Sequence, residues 1–441
     1  MSTIRQSTAS RKSNFKNFRW VIIFLFITGV TLNYITRNSL GIMAPELKET
    51  FQMSNEQYGY ITMAFQIAYT IFQPICGWFI DVVGLKIGFA ICALAWSITC
   101  MFHAGVGNWM HLVFLRFFMG STEAAAAPAN VKVMTEWFPK KERTVANGWG
   151  GVGFSIGGMI APPLIYGLHS TFGWQGAFIV PGILGIVWAL VWWKMYDPPA
   201  RSKIVASEER EYILSDQDPA FTGKKPPLWT SLGQLLKNKK FYGIGIPAFL
   251  SEPAWQALGF WVPLYMAQVH GFKLIDIAMF AWMPFLMADL GSLAAGYLVP
   301  VLRNRFDLSR LNASIVTSCS GAVVMVCLVF AAFSKSPYIA ILLISMGGFG
   351  HQMISGMLGV LVMETTPSHQ VATANGLRGT FAWVAAALST IVIGSLTSEA
   401  SLGPSGFTYV FVSLGLFDLL GALIMVGVLW ERRGKTITTT A

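Results

Sequence analysis

Stretches of about twenty apolar residues recur along the whole chain, and this feature limits its possible folds more than any other. Each stretch can cross a hydrocarbon core roughly 30 Å thick. In lipid the backbone must satisfy its own hydrogen bonds, which favours helices. The stretches lie near 20–42, 59–80, 87–103, 109–133, 145–168, 173–194, 241–268, 276–299, 312–333, 337–363, 370–397 and 406–430. The sequence therefore predicts an all-α membrane protein with twelve transmembrane helices.

The charge pattern indicates membrane topology and not a nucleic-acid partner. Only 12% of the 441 residues are charged and 54% are hydrophobic, although the net charge is +10. The basic residues gather in alternate joints and in the tails: Arg5, Arg11, Lys12, Lys16, Arg19, Lys86, Lys140, Lys141, Arg143, Arg303, Arg305, Arg310, Arg432, Arg433 and Lys435. By the positive-inside rule, both termini and the central loop are predicted to be cytoplasmic.

The first apolar run follows a basic stretch, as in a secretory signal, but it is long and lacks a small-residue cleavage site. We expect it to be an uncleaved first span. The five cysteines, Cys76, Cys92, Cys100, Cys319 and Cys327, all fall inside predicted spans, where a thiol packs as a small apolar group. We expect no disulfides.

One long polar stretch, from about Asp197 to Lys240, divides the chain into two halves of six spans that repeat each other. The string EWFPKKERTVANGWGG in the first half is similar to ETTPSHQVATANGLRG in the second. Duplication of a six-helix bundle is typical of transporters. The predicted organisation is a cytoplasmic tail 1–18, a bundle 19–195, a cytoplasmic loop 196–240, a second bundle 241–431 and a tail 432–441.

The joint after the second span reads GWFIDVVGLK and resembles the signature loop of the major facilitator superfamily. In that family the loop is a latch against neighbouring helices, a role that falls here on Gly77, Asp81, Gly84 and Lys86. The alternative is that these charged side chains are solvated and only set the membrane topology, which suits Lys86 better than Asp81. A degenerate copy without the Asp stands at 296–305.

Longer strings, such as LNYITRNSLGIMAPEL and LRFFMGSTEAAAAPANVKVMTEWFPKKER, resemble the anion:cation symporter branch of that superfamily, and most closely the bacterial hexuronate transporters. The resemblance implies proton-coupled uptake of aldohexuronates, such as glucuronate and galacturonate, by alternating access. It also implies a monomer in the bacterial inner membrane that is not an enzyme and needs no cofactor or metal, with the proton as coupling ion.

Charged or titratable side chains inside spans are costly, at about 2.5 kcal/mol or more each, so those present need a reason. The candidates are Arg37, Arg116, Glu123, Glu252, Asp289, His351, Arg378 and Asp418. Arg116 and Glu123 stand seven residues apart, so they share one face of a helix with backbones roughly 10 Å apart. They either face one cavity or belong to a buried ion pair.

The functional interpretation gives these charges the chemistry of symport. The guanidinium of Arg116 or Arg37 binds a carboxylate with two prongs, and Glu123 takes a proton. Once the substrate anion occupies the arginine, Glu123 loses its positive partner and binds a proton more readily, so that the two ligands bind cooperatively. Related symporters often carry an acid where this chain has Thr36, which leaves Glu123 as the predicted sole carrier.

Further polar and aromatic side chains are candidates for sugar hydroxyls. The resemblance places Tyr34 and Tyr69 on the substrate side, and Gln73 lies one turn from Tyr69. Candidates in the second half are Trp255, Gln256, His351, Gln352, Asn375 and Arg378. For Glu252 and His351 a gating or packing role is an equal alternative, while Asp289 and Asp418 are predicted to make interhelical hydrogen bonds.

Three other functions stay open. The first is proton symport of another organic anion, such as galactonate, tartrate or an aromatic carboxylate. The second is a membrane-embedded enzyme, although the chain has no H-E-x-x-H motif. The third is a non-transporting sensor of the same fold, which usually carries a large soluble extension.

Overall fold

The computed structural model describes residues 17–217, 223, 225–272, 279–280, 282–398 and 401–431. Within these residues the regular structure is helical. The predicted basic tails, from Arg5 to Lys16 and from Arg432 to Lys435, lie outside the described residues, as do Lys273 and part of the predicted eighth span.

Sixteen described α-helices carry labels here. In the first half and the central loop they are α1 Phe18–Thr50, α2 Asn55–Val83, α3 Leu85–Phe102, α4 Trp109–Glu123, α5 Ala126–Trp137, α6 Arg143–Met195, α7 Ser207–Leu214 and α8 Leu228–Lys237. In the second half they are α9 Lys239–Gln256, α10 Val262–Gln268, α11 Met283–Phe306, α12 Arg310–Met325, α13 Cys327–Ala331, α14 Pro337–Thr365, α15 Val371–Leu396 and α16 Gly406–Leu429.

The helices confirm an all-α membrane protein, because nine of those described are long and apolar enough to cross a bilayer. One of them, α6, covers two predicted spans and has non-helical backbone at Gly173, where φ is 70°. A positive φ suits glycine, so this residue marks the turn between them. The count of twelve stays a prediction.

Two predicted spans are interrupted helices. The span predicted at 109–133 is α4 followed by α5, with a break at Ala124 and Ala125. The span predicted at 241–268 is α9 and α10, joined by a π-helical turn at Ala257–Trp261. Such turns are common at functional sites. The break after α4 directly follows Glu123, so the predicted proton carrier lies at the end of a helix.

The two halves meet where α2 packs on α15 and α6 packs on α11. Glycines allow this close approach: a Cβ on Gly77 would overlap the backbone of Ala372, and one on Gly148 would lie 2.8 Å from the Ser292 carbonyl oxygen. These contacts lie near the joints between α2 and α3 and between α5 and α6. The sequence predicts that this end is cytoplasmic, so the halves are closed at the predicted cytoplasmic end.

The predicted central loop contains the short helices α7 and α8 and is tied to the bundles. Glu209 of α7 accepts hydrogen bonds from the backbone N–H groups of Phe18, at 2.8 Å, and Arg19, at 3.2 Å, at the start of α1. A carboxylate at a helix N-terminus is favourable. Asp216 pairs with Arg310 of the second half at 3.0 Å. The loop therefore contacts both halves.

Candidate functional site

A buried ion pair joins the first and fourth predicted spans. The Arg37 Nε donates to Glu123 Oε2 at 2.9 Å, and the Thr36 hydroxyl donates to Glu123 Oε1 at 3.2 Å. The Glu123 side chain is fully buried, and that of Arg37 is 14% exposed. Removing one partner from such a pair leaves an uncompensated charge, which costs several kcal/mol. Arg37 and Glu123 therefore depend strongly on each other.

Arg116 reaches the same place by a different route. It shares a helix with Glu123, but its Nη2 donates to the backbone carbonyl of Arg37 at 3.0 Å. Each guanidinium keeps a buried nitrogen without a hydrogen-bond partner among the described residues, namely Arg37 Nη2 and Arg116 Nε. A buried N–H without a partner is costly, and a carboxylate is the acceptor that guanidinium groups fit best.

Aromatic rings enclose the Arg37 guanidinium. Its central carbon lies 4.5 Å from the ring centre of Tyr34, 4.7 Å from that of Tyr69 and 5.2 Å from that of Phe65. Such rings stabilise a cation by cation–π attraction. Tyr69 also contacts Trp383 of the second half, with ring centres 4.7 Å apart. The aromatic wall thus continues from one half to the other.

Gln73, one turn from Tyr69, lies at the contact between the halves. A Cβ on Gly379 of α15 would overlap the Gln73 amide, so this glycine makes room for the side chain. Gln73 is buried, and its Oε1 has no hydrogen-bond partner among the described residues. Gln73 is therefore at the seam between α2 and α15, with one acceptor still unused.

In the second half, Trp255 and His351 form a stacked pair. Their ring centres are 5.5 Å apart with planes 18° from parallel, and His351 Nδ1 is 3.1 Å from the Ser251 hydroxyl. Gln352, the neighbour of His351 on α14, is partly exposed. The pair offers a flat aromatic surface of the kind on which a sugar ring can stack.

A second set of charges lies on α9 and α15. Arg378 Nε donates to Asn375 Oδ1 at 2.9 Å, and Asn375 Nδ2 donates to the Ala127 carbonyl in the first half, also at 2.9 Å. Arg378 interacts electrostatically with Glu252, and Glu252 also interacts with the Gln256 side chain. Each half therefore contributes an arginine and a carboxylate to the interior between the halves.

The signature loop is bound to the second half. Asp81 Oδ1 accepts from Lys132 Nζ at 2.9 Å, and Oδ2 accepts from the backbone N–H and the hydroxyl of Thr373, both at 2.8 Å. Lys132 also donates to the Ser368 carbonyl at 2.7 Å. Thr373 lies in the first turn of α15, where unpaired backbone N–H groups favour an anion.

The other signature residues have separate contacts. Lys86 pairs at 2.8 Å with Asp197, just after α6, where both side chains are partly exposed, so its described ion pair is not with α15. Gly84 has a φ of 90° at the joint between α2 and α3, a conformation that favours glycine. Lys225 of the central loop donates to the backbone carbonyls of Asp81 and Val82.

Sequence reasoning missed several residues that complete these sites. Lys132 could have been found from the sequence, because it is a charged residue within the predicted span 109–133. Thr373 and Ser251 carried no such signal, because threonine and serine are common in spans and only the packing of other helices shows what they face. Trp383 is not among the predicted site residues, and its ring contacts Tyr69 across the two halves.

Comparison with known proteins gives a consistent result. Residues 26–390 match the family model described as the Major Facilitator Superfamily. The chain is 43% identical over 420 residues to the "Hexuronate transporter" of Escherichia coli strain K12, with 95% of each chain covered. It is 42% identical over 329 residues to the "Galacturonate transporter" of Dickeya chrysanthemi, covering 74% of this chain and 94% of that one.

A solved structure supports the fold. The human organic anion transporter MFSD10 (TETRAN) superposes with a TM-score of 0.70 at 14% identity, covering 93% of this chain and 100% of that one. At this identity the likeness concerns the fold alone. It agrees with the all-helical architecture described above.

Proposed function

The chain belongs to the Major Facilitator Superfamily, and from that premise we propose that it takes up aldohexuronates such as glucuronate and galacturonate together with a proton. Two transporter relatives, for hexuronate and for galacturonate, support this substrate class at 42–43% identity. The family and these relatives confirm that the chain is a multi-pass transporter and not an enzyme. The observation that carries the proposal is the buried pair of Arg37 and Glu123, with unused guanidinium donors beside it.

Binding begins at those donors. A hexuronate has one carboxylate, and Arg37 Nη2 and Arg116 Nε each lack a partner among the described residues. The carboxylate satisfies both nitrogens and adds a negative charge next to two buried cations. The gain is large in a buried site, where charge-assisted hydrogen bonds are stronger than in water. The two arginines thus bind the charged end of the substrate.

Coupling follows from competition for Arg37. In the empty site this arginine pairs with Glu123 at 2.9 Å. When the substrate carboxylate draws Arg37 away, Glu123 is left buried with only the Thr36 hydroxyl, and protonation removes the cost of its charge. Anion and proton therefore favour each other's binding, and linkage makes the effect mutual. The substrate anion and the proton then enter and leave the site together.

One proton and one monoanion carry no net charge. The membrane potential then does little work on the loaded transporter, while each pH unit of gradient contributes about 1.4 kcal/mol. Accumulation should therefore follow the pH gradient.

The sugar hydroxyls need polar and aromatic contacts from both halves. We assign Tyr34, Tyr69 and Gln73 in the first half to this role. In the second half we assign Trp255, Gln256, His351, Gln352, Asn375 and Arg378. The assignment is supported by the aromatic wall around Arg37 and by the stacked pair of Trp255 and His351.

Alternating access needs two bundles that rock against each other. We assign these to residues 19–195 and 241–431, with a monomer in the bacterial inner membrane and both termini in the cytoplasm. Asp81 contributes to the closed state, because its contact with Thr373, and that of its partner Lys132 with the Ser368 carbonyl, join the halves. Release to the cytoplasm requires these contacts to break. The proton is the coupling ion, and the mechanism uses no cofactor.

The test uses proteoliposomes and labelled glucuronate. Wild-type protein should accumulate the label under an imposed pH gradient and should exchange it without one. Glu123→Gln should lose accumulation at least about tenfold and keep exchange, because glutamine preserves hydrogen bonding but binds no proton. Glu46→Gln is the matched control, since Glu46 lies on α1 and pairs with His169 away from the arginines.

Two results would contradict the proposal. If Glu123→Gln accumulates glucuronate as the wild type does, Glu123 is not the proton carrier. If the wild type moves no hexuronate under any gradient, the substrate class is wrong, and galactonate, tartrate and aromatic carboxylates are tested next.

A further inference from the structure

Three helices of the second half are joined by a chain of buried polar side chains. The Ser251 hydroxyl of α9 is 3.1 Å from His351 Nδ1 of α14. The carboxyl of Asp418 on α16 interacts with the Ser251 side chain. The three residues are 2–3% exposed. Asp418, Ser251 and His351 therefore connect α16, α9 and α14.

The chain ends on an aromatic surface. The His351 ring stacks on Trp255, which lies one helical turn after Ser251 on α9. The Trp255 ring is also held edge-on by Phe285, at 5.6 Å and 88°. His351 uses Nδ1 for Ser251, and Nε2 has no hydrogen bond within the described part of the chain. The His351 Nε2 atom and the Trp255 ring are therefore adjacent.

Asp418 has few alternatives to Ser251. It borders a narrow gap lined by Pro247, Ile354, Met425 and Ser318, and the Ser318 hydroxyl donates to its own helix at the Ser314 carbonyl. Among the described residues, the Asp418 Oδ2 has no hydrogen-bond partner. An acid kept in an apolar bundle at such cost needs a reason beyond packing.

We propose that Asp418 and Ser251 are positioning residues that orient His351, so that its Nε2 and the indole of Trp255 together bind the sugar ring of the substrate. This inference rests on the proposed function and extends it to a recognition site in the second half. The substrate's carboxylate is held by the first half, and its hydroxyls are read by the second.

Through the hydroxyl of Ser251, the distant Asp418 can fix the tautomer and the ring orientation of His351. The Ser251 hydroxyl accepts a hydrogen bond from one neighbour and donates one to the other. The hydrogen bonds on its two sides therefore run in the same direction. A charged Asp418 accepts from Ser251, which then accepts from Nδ1–H and leaves Nε2 as an acceptor. A protonated Asp418 reverses every bond and leaves Nε2–H as a donor. In either direction His351 has one tautomer and one ring orientation.

The test measures exchange of labelled glucuronate in proteoliposomes with no pH gradient. Ser251→Ala should raise the KM for exchange about tenfold and leave the maximal rate unchanged, because the ring that reads the sugar is no longer fixed. Ser251→Thr retains the hydroxyl and should restore the wild-type KM. Ser318→Ala, a serine-to-alanine change beside the same gap, should have no effect, since its hydroxyl bonds only within α12.

A double variant separates positioning from packing. If Ser251 acts through His351, then adding Ser251→Ala to His351→Gln should raise the KM no further, and Asp418→Leu, which can neither donate nor accept, should behave as Ser251→Ala does. An unchanged KM in Ser251→Ala would overturn the inference, as would a full extra loss in the double variant or a loss confined to gradient-driven accumulation. If wild-type protein exchanges no glucuronate, the proposed function itself fails and this inference falls with it.

Discussion

Thr36 contacts the predicted proton carrier. Because this position has a hydroxyl and not a carboxyl group, it adds no second proton-binding group to the site. It donates to Glu123 Oε1 at 3.2 Å, on the side of the carboxylate opposite Arg37. A hydroxyl stabilises the carboxylate but does not titrate in the physiological range. Glu123 is then the single acid at this point, which agrees with the symport of one proton with one monoanion.

Thr36→Asp should therefore change the stoichiometry. Two carboxylates within hydrogen-bond distance cannot both ionise easily, so the pair retains an additional proton. Two protons with one monoanion carry a net positive charge, and a potential of 100 mV does about 2.3 kcal/mol of work on it. We expect a potential of this size that is negative inside, at equal pH, to increase glucuronate accumulation by up to about fiftyfold. Wild-type accumulation should not respond.

Thr36→Asn is the matched control for this prediction, because asparagine has the shape of aspartate and no titratable proton. It should stay insensitive to potential. Potential-driven uptake by the wild type would show that the natural site already binds more than one proton per substrate. An equal response in Thr36→Asn would show that shape, and not titration, causes the effect.

At this scale the sequence identifies the residues better than their partners. Arg37, Arg116 and Glu123 stand out because charge is rare in spans, and all three lie together in the structure. Helical spacing could show that Arg116 and Glu123 share a face. It could not show that Glu123 pairs with Arg37 instead, because that choice depends on how α1 packs against α4.

At the scale of whole elements, the latch of Asp81, Lys132 and Thr373 holds α2 and α5 against the start of α15. Asp81→Asn should open this end of the molecule. It removes the 2.9 Å partner of the buried Lys132 and leaves this charge only the 4.0 Å contact with Glu136, at a cost of up to roughly 3–5 kcal/mol to the closed state. The reporter is Thr380→Cys, at a residue whose hydroxyl donates to the Thr70 carbonyl across the seam. We expect an impermeant maleimide to label it at least about tenfold faster from the cytoplasmic side.

Two further variants make this prediction specific. Adding Lys132→Met to Asp81→Asn removes the buried positive charge that has lost its aspartate partner. The labelling rate should then fall part of the way back to that of the parent. Asp197→Asn breaks the partly exposed pair with Lys86 and should change little, since exposed ion pairs contribute under about 1 kcal/mol. Equal labelling rates in Asp81→Asn and the parent would mean that the latch does not hold the closed state.

Hydropathy located the elements but not their interruptions. The stretches at 109–133 and 241–268 satisfy the length and polarity expected of a single span. Their breaks depend on local backbone geometry, in the two residues after Glu123 and in the π-helical turn at Ala257–Trp261, which no periodic pattern records. By contrast Gly173, where α6 changes direction, lies at the boundary that hydropathy had placed between the fifth and sixth spans.

At the scale of the whole molecule, the repeated string of the sequence forms the seam between the halves. Asn147 donates to the Gly356 carbonyl of α14 and its counterpart Asn375 donates to the Ala127 carbonyl, both at 2.9 Å. The following glycines, Gly148 and Gly376, meet α11 and α2. The repeat could be predicted from sequence. Its placement could not, because it depends on which end of the molecule is closed.

This symmetry predicts that Gly148→Ala and Gly376→Ala have the same effect. A Cβ at either site would overlap backbone of the opposite half, at the Ser292 carbonyl or at Gln73, so the halves could not close at the predicted cytoplasmic end. Each transport cycle requires that closure. Both variants should lose exchange of labelled glucuronate at least about tenfold, while the purified proteins still bind glucuronate, because Arg37 and Arg116, which hold the carboxylate, are not among the residues that the added Cβ atoms would overlap.

Gly158→Ala controls for the loss of a glycine as such, since it lies on the same helix as Gly148 and a Cβ there meets no atom within 4 Å. It should exchange as the wild type does. If Gly376→Ala exchanges normally while Gly148→Ala does not, only one of the two contacts limits closure. The halves would then be symmetric in sequence and structure but not in their movement.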